Sequence, residues 1–475
     1  MNPICTSNDL GTQNAVLLNC LRAIVGDAHV ITDAITMQSY TIDWTGRWQG
    51  EAVAVVRPGT TDEVSAVVAA CHERRIPITA QGGNTGLVGG AIPSAGSIVL
   101  STQRLNSIDT IDPVGRIIAA GAGVTVAMAD DAASKHGLQF GIDLASRDSA
   151  TLGGIVATNA GGVRMVRHGN TRAQLLGVEA VLSDGAVLSR WIPLVKDNVG
   201  YDLPGLLAGS EGTLAIITKV LMKLTTPPPE TQVVLAGVST IEAALNLCDR
   251  MRRHGLTVEA AEIMTTDGVA LVCSHSDARH PFGQPSPLYT LIEISSSGDT
   301  EATVLEILSA SADTMDDAIV EPGPARKLWQ IRESHTECIS RASSTPVVKL
   351  DVAVPLPEMS TFITALESAL AVEFSEVTPI LFGHFADGNI HVNILNVPTA
   401  ASNAITDRVF EIVAAHHGSI SAEHGIGRAK KSWITLGRSP VDIRIMKQIK
   451  SALDPRCLLN PDVLLPTASA ESTQT

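Results

Sequence analysis

Three consecutive prolines, at positions 227–229, interrupt the chain near its middle. Proline lacks a backbone N–H, and its ring clashes with the preceding turn of a helix, so this stretch fits neither a helix interior nor a central strand. The 475-residue chain is long enough for two to four domains of ordinary size. We therefore predict three parts: residues 1–228, residues 229–415, and a C-terminal segment over residues 416–475.

Composition excludes several classes of function. With 34 basic and 49 acidic residues the net charge is −15, which argues against binding to nucleic acid or to anionic membranes. The seven cysteines form no CxxC pair, which indicates a reduced, cytoplasmic protein. No basic segment precedes an apolar block in residues 1–26, and no apolar run reaches 18 residues. We expect neither a signal peptide nor a membrane span.

Apolar periodicity predicts alternating strands and helices on both sides of the prolines. In the first part, helical spacing follows an N-cap signal at residues 60–75, and Asp184-Gly185 lies between two apolar triplets as a hairpin turn. We predict first-part strands at residues 52–57, 76–80, 97–100, 117–120, 178–182 and 212–220. Beyond the prolines we predict strands at 231–238 and 289–294, helices at 241–254, 302–311, 405–416 and 441–453, and a frayed tail after Pro466.

Three segments rich in glycine and other small residues stand out in the first part, at positions 81–90, 149–162 and 208–213. Glycine lets backbone N–H groups converge on an anion, and the side chains of Asn84 and Thr85 could add donors. Neither GxGxxG nor GxxxxGK[ST] occurs, so no dinucleotide or ATP motif is indicated. One such loop could equally be a surface turn. Three of them predict a long groove for a pyrophosphate-containing cofactor.

The spacing of these segments resembles the FAD-binding domain of the vanillyl-alcohol-oxidase-type flavoproteins. The resemblance implies an α+β domain in which the first loop holds the pyrophosphate of noncovalent FAD, while the second segment and Gly212 lie along the adenosine and flavin. We considered a covalent flavin link at His168 and prefer a polar loop residue there. The residues implied to bind the cofactor are Gln81, Gly82, Gly83, Asn84, Thr85, Gly86, Leu87, Ser149, Thr151, Gly153, Gly154, Asn159, Gly161, Glu211, Gly212, Ile217 and Asn460.

A histidine-containing hairpin is predicted in the second part. If Asp387-Gly388 is a two-residue turn, His384 lies directly opposite His391, and Asn393 falls on the same face of the sheet. Two imidazoles so placed could share a zinc ion with a third ligand from elsewhere. The alternative is two polar residues on an exposed sheet face.

A second sequence signal favours the metal hypothesis. Glu423 and His424 lie together in a glycine-flanked loop, offering a carboxylate ligand beside a base, although a solvated loop is the alternative. Two histidines, one glutamate and an open fourth position are typical of a catalytic zinc site.

These motifs resemble the C-terminal domain of the FAD-linked 2-hydroxy-acid dehydrogenases. The resemblance implies that His384, His391 and Glu423 bind Zn²⁺, or Mn²⁺ or Co²⁺, that Asn393 touches substrate, and that His424 is the base. It also implies a ferredoxin-like α+β substrate domain and a C-terminal helical segment, ending near Asn460, that returns to the FAD domain.

Three polar side chains could recognise a second substrate carboxylate. Arg332 and Thr336, at i and i+4, would share a helix face, and Lys349 lies on a predicted strand. Arginine could grip a carboxylate with two parallel bonds and lysine as a point charge, although ordinary surface charge is the alternative. The stretch of sequence around Arg332 and the stretch around Lys349 both resemble the hydroxyglutarate branch of the family. His335, beside Thr336, is expected at the surface.

The function implied is oxidation of D-2-hydroxyglutarate to 2-oxoglutarate. The metal would chelate the α-hydroxy carboxylate, His424 would take the hydroxyl proton, and hydride would pass to flavin N5. The electron acceptor is not identified by the sequence, with an electron-transfer flavoprotein or a quinone as examples, and a homodimer stays open. The alternatives are a dehydrogenase for D-lactate or another D-2-hydroxy acid, a non-redox FAD transferase of the alkylglycerone-phosphate synthase type, and a flavin-carrying electron-transfer module without substrate chemistry.

Overall fold

The computed structural model describes residues 7–466, with side chains from residue 14 onward. The start of the segment examined for a signal peptide, residues 1–6, and the tail predicted to fray lie outside the described residues. The described chain forms two compact units. The first contains the residues up to Gly162, then Gly169–Thr226, then the residues from Glu423. The second contains Val163–His168 and Pro227–Ala422.

The boundaries of these units differ from the predicted ones in three places. The division between Thr226 and Pro227 lies directly before the three prolines, two residues ahead of the predicted boundary. The predicted C-terminal part is split, because residues 416–422 belong to the second unit and the residues from Glu423 belong to the first. The six residues Val163–His168 also leave the first unit for the second. Nothing in the local sequence marks this excursion, because it depends on contacts with distant strands.

Strands and helices of the described chain are numbered in chain order. The strands are β1 (Val30–Ile31), β2 (Ala52–Val56), β3 (Ile78–Gln81), β4 (Ser97–Ser101), β5 (Ile108–Asp112), β6 (Ile117–Gly121), β7 (Gln139–Phe140), β8 (Leu175–Val181), β9 (Val187–Arg190), β10 (Ile216–Thr225), β11 (Thr231–Val238), β12 (Thr257–Thr265), β13 (Leu288–Ser295), β14 (Met315–Pro322), β15 (Val348–Ala353), β16 (Thr378–Gly383) and β17 (Asn389–Leu395). The helices are α1 (Ser7–Val25), α2 (Ala34–Thr41), α3 (Thr61–Arg74), α4 (Val126–Ser134), α5 (Leu152–Thr158), α6 (Met165–His168), α7 (Thr171–Gln174), α8 (Leu203–Leu207), α9 (Ile241–Arg253), α10 (Thr266–His275), α11 (Thr300–Ser309), α12 (Arg326–Glu333), α13 (His335–Ala342), α14 (Met359–Glu373), α15 (Ser402–Ala415), α16 (Ile434–Gly437) and α17 (Pro440–Leu453).

The first unit contains two sheets. The smaller has the order β1-β2-β4-β3, in which β2, β4 and β3 run parallel. The larger has the order β5-β6-β10-β8-β9, with β7 also paired to β10. Helix α3 begins as predicted, since the Thr60 hydroxyl accepts a hydrogen bond from the backbone N–H of Glu63 at 3.1 Å. The predicted hairpin at Asp184-Gly185 is confirmed by the pairing of Val181 with Val187.

The strand predicted over residues 212–220 begins later than expected. It is β10, and residues 208–215 before it form a short turn in which Gly209, Glu211 and Gly212 all have positive φ angles. Positive φ is strained for most residues and common for glycine, so this segment cannot extend the strand. The third glycine segment is therefore a loop that leads into β10, the central strand of the larger sheet.

The second unit is built on one seven-stranded sheet with the order β14-β11-β13-β12-β16-β17-β15. Its first four strands, with α9 and α11 between them, pair antiparallel in the ferredoxin-like order fourth, first, third, second, as the resemblance implies. Strands β16, β17 and β15 extend this sheet beyond β12. The extension carries the histidines and the lysine selected from the sequence.

No helix among residues 7–466 is long and apolar enough to cross a bilayer. The cysteines in the described part of the chain are free thiols.

The prediction that His335 is a surface residue is wrong. Its side chain is fully buried, and its Nδ1 lies 2.9 Å from the Ile331 carbonyl oxygen. The ring packs against Phe382, while Nε2 is buried without a hydrogen-bond partner near Gly268. Burial and the neighbouring Arg332 guanidinium lower the pKa of His335 from 6.5 to about 4.

This burial predicts a pH dependence of stability. As the pH falls from about 6.5 to about 4, the unfolded chain binds a proton at His335 that the folded chain excludes, so the free energy of unfolding should decrease. We expect the free energy of unfolding of His335→Gln to depend less on pH across that range, by the slope that one bound proton contributes. Denaturant titrations at several pH values measure this slope. Identical slopes for the variant and the parent protein would contradict the assignment.

Candidate functional site

The first glycine segment follows β3 and is fastened to the chain that precedes it. The Gln81 side-chain amide donates to the carbonyl oxygens of Tyr40 at 2.8 Å and Ala91 at 2.9 Å. The Asn84 amide, predicted to donate to an anion, instead donates to the carbonyl of Ile42 at 2.9 Å, with a longer bond to that of Ser39. These bonds hold the Asn84 side chain against the preceding part of the chain, and its contact with an anion stays a prediction. These bonds fix the loop and leave its backbone N–H groups for the predicted contact with an anion.

The first and second glycine segments touch each other directly. A Cβ atom at Gly82 would lie 2.3 Å from the Thr151 hydroxyl, and one at Gly83 would lie 1.8 Å from the Ser149 carbonyl oxygen. Both distances are far below van der Waals contact, so only glycine permits this approach. Gly86 and Leu87 follow on the open side of the loop, where nothing lies within 4 Å of a Cβ at Gly86.

Helix α5 holds the second segment. The Thr151 hydroxyl accepts the Gly154 N–H at 3.3 Å, while a Cβ at Gly153 would lie 2.6 Å from that of Ala122. Asn159 ends the helix with a positive φ, and its side-chain oxygen accepts the Arg172 N–H at 2.9 Å. Gly161, two residues later, is buried.

The third segment is joined to the first through Asn460. The Asn460 side-chain amide donates to the carbonyl oxygens of Gly90 at 2.8 Å and Glu211 at 2.7 Å. Gly212 lies beside the same amide, with a positive φ. Ile217 differs from the other selected residues, because its side chain is buried in the hydrophobic core and leaves only backbone for a cofactor.

The first unit thus unites the three segments and the C-terminal Asn460. The donors that these glycines offer are backbone N–H groups, and at Gly82, Gly83 and Gly153 there is no room for a Cβ. These features fit an extended ligand that carries a pyrophosphate, as FAD does. Phe140, Ile142 and the other core residues beneath α5 support this surface from below.

The contact between the two loops predicts a destabilised variant. We expect Gly83→Ala to lower the stability of the protein by about 1–3 kcal/mol, because a backbone carbonyl must move to admit the methyl group. Gly86→Ala, in the same loop and in open space, is the matched control and should stay within about 0.5 kcal/mol of the parent protein. Thermal unfolding of the FAD-free protein measures both. Equal effects of the two substitutions would rule out the proposed crowding.

The Glu423-His424 loop is fixed on both sides of the histidine. The Glu423 carboxylate accepts the Gly162 N–H at 2.7 Å. After His424, the Glu211 carboxylate accepts the backbone N–H groups of Ile426 at 2.9 Å and Gly427 at 2.7 Å. Burial raises the pKa of Glu211, against the opposing effects of these N–H groups and of a nearby lysine charge. The loop therefore presents His424 from a constrained backbone.

In the second unit, the hairpin register differs from the predicted one. His391 pairs with Phe382, and not with His384, because the connection is longer than a two-residue turn. Residues Phe385–Asp387 form one turn of 3₁₀ helix, and Gly388 closes it with a φ of 87°. The register moves by two residues, which keeps the same side chains on the same face. His384 and His391 therefore still meet, with ring centroids 5.2 Å apart.

A buried carboxylate lies behind each of these histidines. His384 Nδ1 lies 2.5 Å from a Glu262 oxygen, and His391 Nδ1 lies 3.3 Å from an Asp351 oxygen. An imidazole that gives its Nδ1–H to a carboxylate keeps its lone pair on Nε2, the tautomer that a metal requires. The two histidines therefore have the chemistry of metal ligands. Among residues 7–466, however, no group of three His, Cys, Asp or Glu side chains that could hold a metal is found.

The residues chosen for the distal carboxylate have different surroundings. Arg332 donates from Nε to Glu262 at 2.6 Å, and its guanidinium lies 4.5 Å from the centre of the Phe382 ring. The expected shared helix face is interrupted, because α12 ends at Glu333 and Thr336 is exposed in α13. Lys349 pairs in register with Asn393 and donates to the Ser340 hydroxyl at 2.9 Å.

Glu262 is the site residue that sequence reasoning missed. Its side chain is completely buried on β12 and contacts both Arg332 and His384. Burial alone would raise its pKa, but the charges and hydrogen bonds of these two partners hold the pKa at about 2. The available signal was an acidic residue within the otherwise apolar stretch Ala260-Ala261-Glu262-Ile263-Met264. A buried acid in a strand needs a partner, but the sequence does not name it.

The segment Val163–His168 contacts a second group of buried acidic side chains on the same sheet. Arg164 lies 3.2 Å from a Glu293 oxygen, and Arg167 lies 3.6 Å from a Glu259 oxygen. His168, considered as a flavin attachment point, ends α6 beside them, and burial lowers its pKa.

Two family descriptions match the chain. "FAD binding domain" matches residues 52–189, and "FAD linked oxidases, C-terminal domain" matches residues 227–464. Among similar proteins, a D-2-hydroxyglutarate dehydrogenase of Xanthomonas citri is 36% identical over 92% of this chain and 94% of its own length. A mitochondrial D-2-hydroxyglutarate dehydrogenase of Bos taurus is 35% identical over 92% of this chain and 81% of its own length. A putative mitochondrial D-lactate dehydrogenase of Schizosaccharomyces pombe is 34% identical, over 90% and 85%.

Solved structures of similar fold extend the comparison. p-Cresol methylhydroxylase superposes with a TM-score of 0.76 over 96% of this chain and 97% of its own, at 16% identity. An alkyldihydroxyacetonephosphate synthase gives 0.72 over 94% and 85%, at 18% identity. At such low identity these likenesses concern the fold alone, and they agree with the predicted vanillyl-alcohol-oxidase type.

Proposed function

This chain belongs to the FAD-linked oxidases, and from that premise we propose that it oxidises D-2-hydroxyglutarate to 2-oxoglutarate as an FAD- and metal-dependent dehydrogenase. One observation carries the proposal. On the extension of the second unit's sheet, His384 and His391 are oriented by buried carboxylates, and cationic side chains lie on the same strands or beside them. Two potential metal ligands thus lie close to positively charged side chains that could bind a carboxylate. The relatives named D-2-hydroxyglutarate dehydrogenase support the choice of acid.

FAD supplies a hydride acceptor at N5, and a divalent cation supplies a Lewis acid that lowers the pKa of the substrate hydroxyl. His384 and His391 would ligate Zn²⁺, Mn²⁺ or Co²⁺, with Glu423 as the third ligand implied by the family resemblance. A nitrogen and oxygen donor set of this kind accepts several such metals.

His424 is the proposed base. Its imidazole would take the proton of the substrate hydroxyl, a task suited to a side chain that titrates near neutral pH. The carboxylate contacts of Glu423 and Glu211 on either side would keep this loop in place during the transfer.

Four residues would bind the substrate. Asn393, on the same face as His391, would contact the α-carboxylate region. Arg332, Thr336 and Lys349 would bind the distal carboxylate and set the preferred chain length. Arg332 already gives its Nε–H to Glu262, so its terminal nitrogens would provide the fork.

A second candidate substrate is D-lactate, which the relative from Schizosaccharomyces pombe brings forward. D-Lactate has no distal carboxylate, so it would leave Arg332 and Lys349 without their proposed role. The transferase alternative does not explain two histidines that are oriented by buried carboxylates.

Redox balance requires an electron acceptor. Each turnover removes two electrons from the substrate as hydride, and these must leave the protein before the next cycle. We assign this role to an electron-transfer flavoprotein or a quinone. Reoxidation of the substrate-reduced protein by each of these, in separate stopped-flow traces, would identify the partner.

Anaerobic bleaching of the flavin tests the substrate assignment. We expect D-2-hydroxyglutarate to bleach the flavin faster than D-lactate, L-2-hydroxyglutarate or glycolate, and we expect chelator to abolish bleaching until metal is restored. Lys349→Ala should raise the KM for D-2-hydroxyglutarate at least about tenfold and change that for D-lactate little, since one hydrogen bond between charged groups contributes about 1.5–3 kcal/mol. Faster bleaching by D-lactate would favour the second candidate, and equal losses on both acids would remove Lys349 from the distal site.

The role of His424 has its own test. We expect His424→Ala to retain FAD and metal but to slow flavin reduction by about 10²-fold or more, the usual size of a lost general base. Flavin absorbance and metal content measure binding, and rapid mixing with substrate measures reduction. Rapid bleaching by the variant would show that another group removes the proton.

A further inference from the structure

We propose that Glu262 is a positioning residue that uses one carboxylate to hold both the metal-ligand histidine His384 and the substrate-binding arginine Arg332. This inference rests on the proposed function. It adds to that function a physical link between metal binding and recognition of the substrate's second carboxylate.

Each oxygen of the Glu262 carboxylate contacts a different partner. One oxygen lies 2.5 Å from His384 Nδ1 and the other lies 2.6 Å from Arg332 Nε, so neither partner can turn without moving the carboxylate. All three side chains lie in the second unit. Glu262 is fully buried, and the side chains of Arg332 and His384 are only 11% and 8% exposed. Water therefore cannot replace either contact at low cost.

The position of Glu262 in the sheet explains why it can reach both partners. Ile263 pairs with Gly383, so Glu262 on β12 comes level with His384 just past the end of β16. Arg332 approaches from α12 and rests on the Phe382 ring. The ring of Phe382 in turn packs against His391 at 5.1 Å. Any displacement of the arginine is thus transmitted to the histidine pair by two routes.

Asp351 provides an internal comparison. It contacts His391 Nδ1 at 3.3 Å and accepts the Asn389 side-chain amide at 2.8 Å. Because Asp351 orients a histidine, it should affect metal binding, whereas Glu262, which also binds Arg332, should affect metal binding and the distinction between dicarboxylate and monocarboxylate substrates. Glu293 is a further control, since it is a buried acid on β13 that binds Arg164 and Trp329 and neither histidine.

The experiment measures both properties in the full-length, FAD-loaded protein. Chelator-treated protein is titrated with Co²⁺, followed by its absorption beyond the flavin bands, and steady-state assays give KM for D-2-hydroxyglutarate and D-lactate. The variants are Glu262→Gln, Asp351→Asn and Glu293→Gln. Glu262→Gln should weaken Co²⁺ binding about 10–100-fold and raise the KM ratio of D-2-hydroxyglutarate to D-lactate at least about fivefold. Asp351→Asn should show the first effect, and Glu293→Gln, the control, should not weaken Co²⁺ binding.

Arg332→Lys tests the same link independently, in case Glu262→Gln does not fold. Lysine keeps the charge but loses the planar group that fixes the carboxylate, so it should weaken Co²⁺ binding about threefold or more although residue 332 touches no proposed ligand. Unchanged Co²⁺ affinity in both Glu262→Gln and Arg332→Lys, in a parent protein that binds Co²⁺, would overturn this inference alone. A parent protein that binds no Co²⁺ would overturn the proposed metal dependence and this inference with it.

Discussion

The first unit depends on the close approach of the first and second glycine segments, which leaves no room for a Cβ at Gly82 or Gly83. The Ser149 carbonyl oxygen occupies the place of a Cβ at Gly83, and the Thr151 hydroxyl occupies that of Gly82. Once these loops meet, Asn460 can join the first segment to the third, and Glu211 can hold the Glu423-His424 loop through two backbone N–H groups. The cofactor surface is thus a product of backbone packing, with side chains used mainly to fasten the loops.

The second unit uses a different principle, the burial of carboxylates beneath a sheet face. Glu262, Glu293, Glu259 and Asp351 are all nearly inaccessible, and each contacts a cation, an imidazole or a hydroxyl. Transfer of a charge from water costs several kcal/mol, so these contacts offset a penalty and do not by themselves explain stability. What they provide is orientation. Imidazole and guanidinium groups held in this way can meet a metal or an anion without further ordering.

The structure also shows how far local rules reach. Capping of α3, the hairpin at Asp184-Gly185 and the ferredoxin-like strand order follow from periodicity, turn chemistry or family resemblance. The register of the histidine hairpin does not, because a 3₁₀ turn at Phe385–Asp387 lengthens the connection. The histidines meet in either case, since a shift of two residues preserves the face. The environment of His335 could not be derived, because it depends on how α13 packs against other elements of the unit.

The sequence by itself determined the kinds of chemistry available: three small-residue loops, two histidines and a glutamate with metal-ligand character, and a division at the prolines. These properties depend on residue type and on neighbours close in the chain. The tertiary structure decided which groups are partners. Glu262 reaches His384 across 122 positions and Arg332 across 70, and Glu423 reaches Gly162 across 261. Contacts at such separations arise from strand order and loop packing, which no short stretch of sequence encodes.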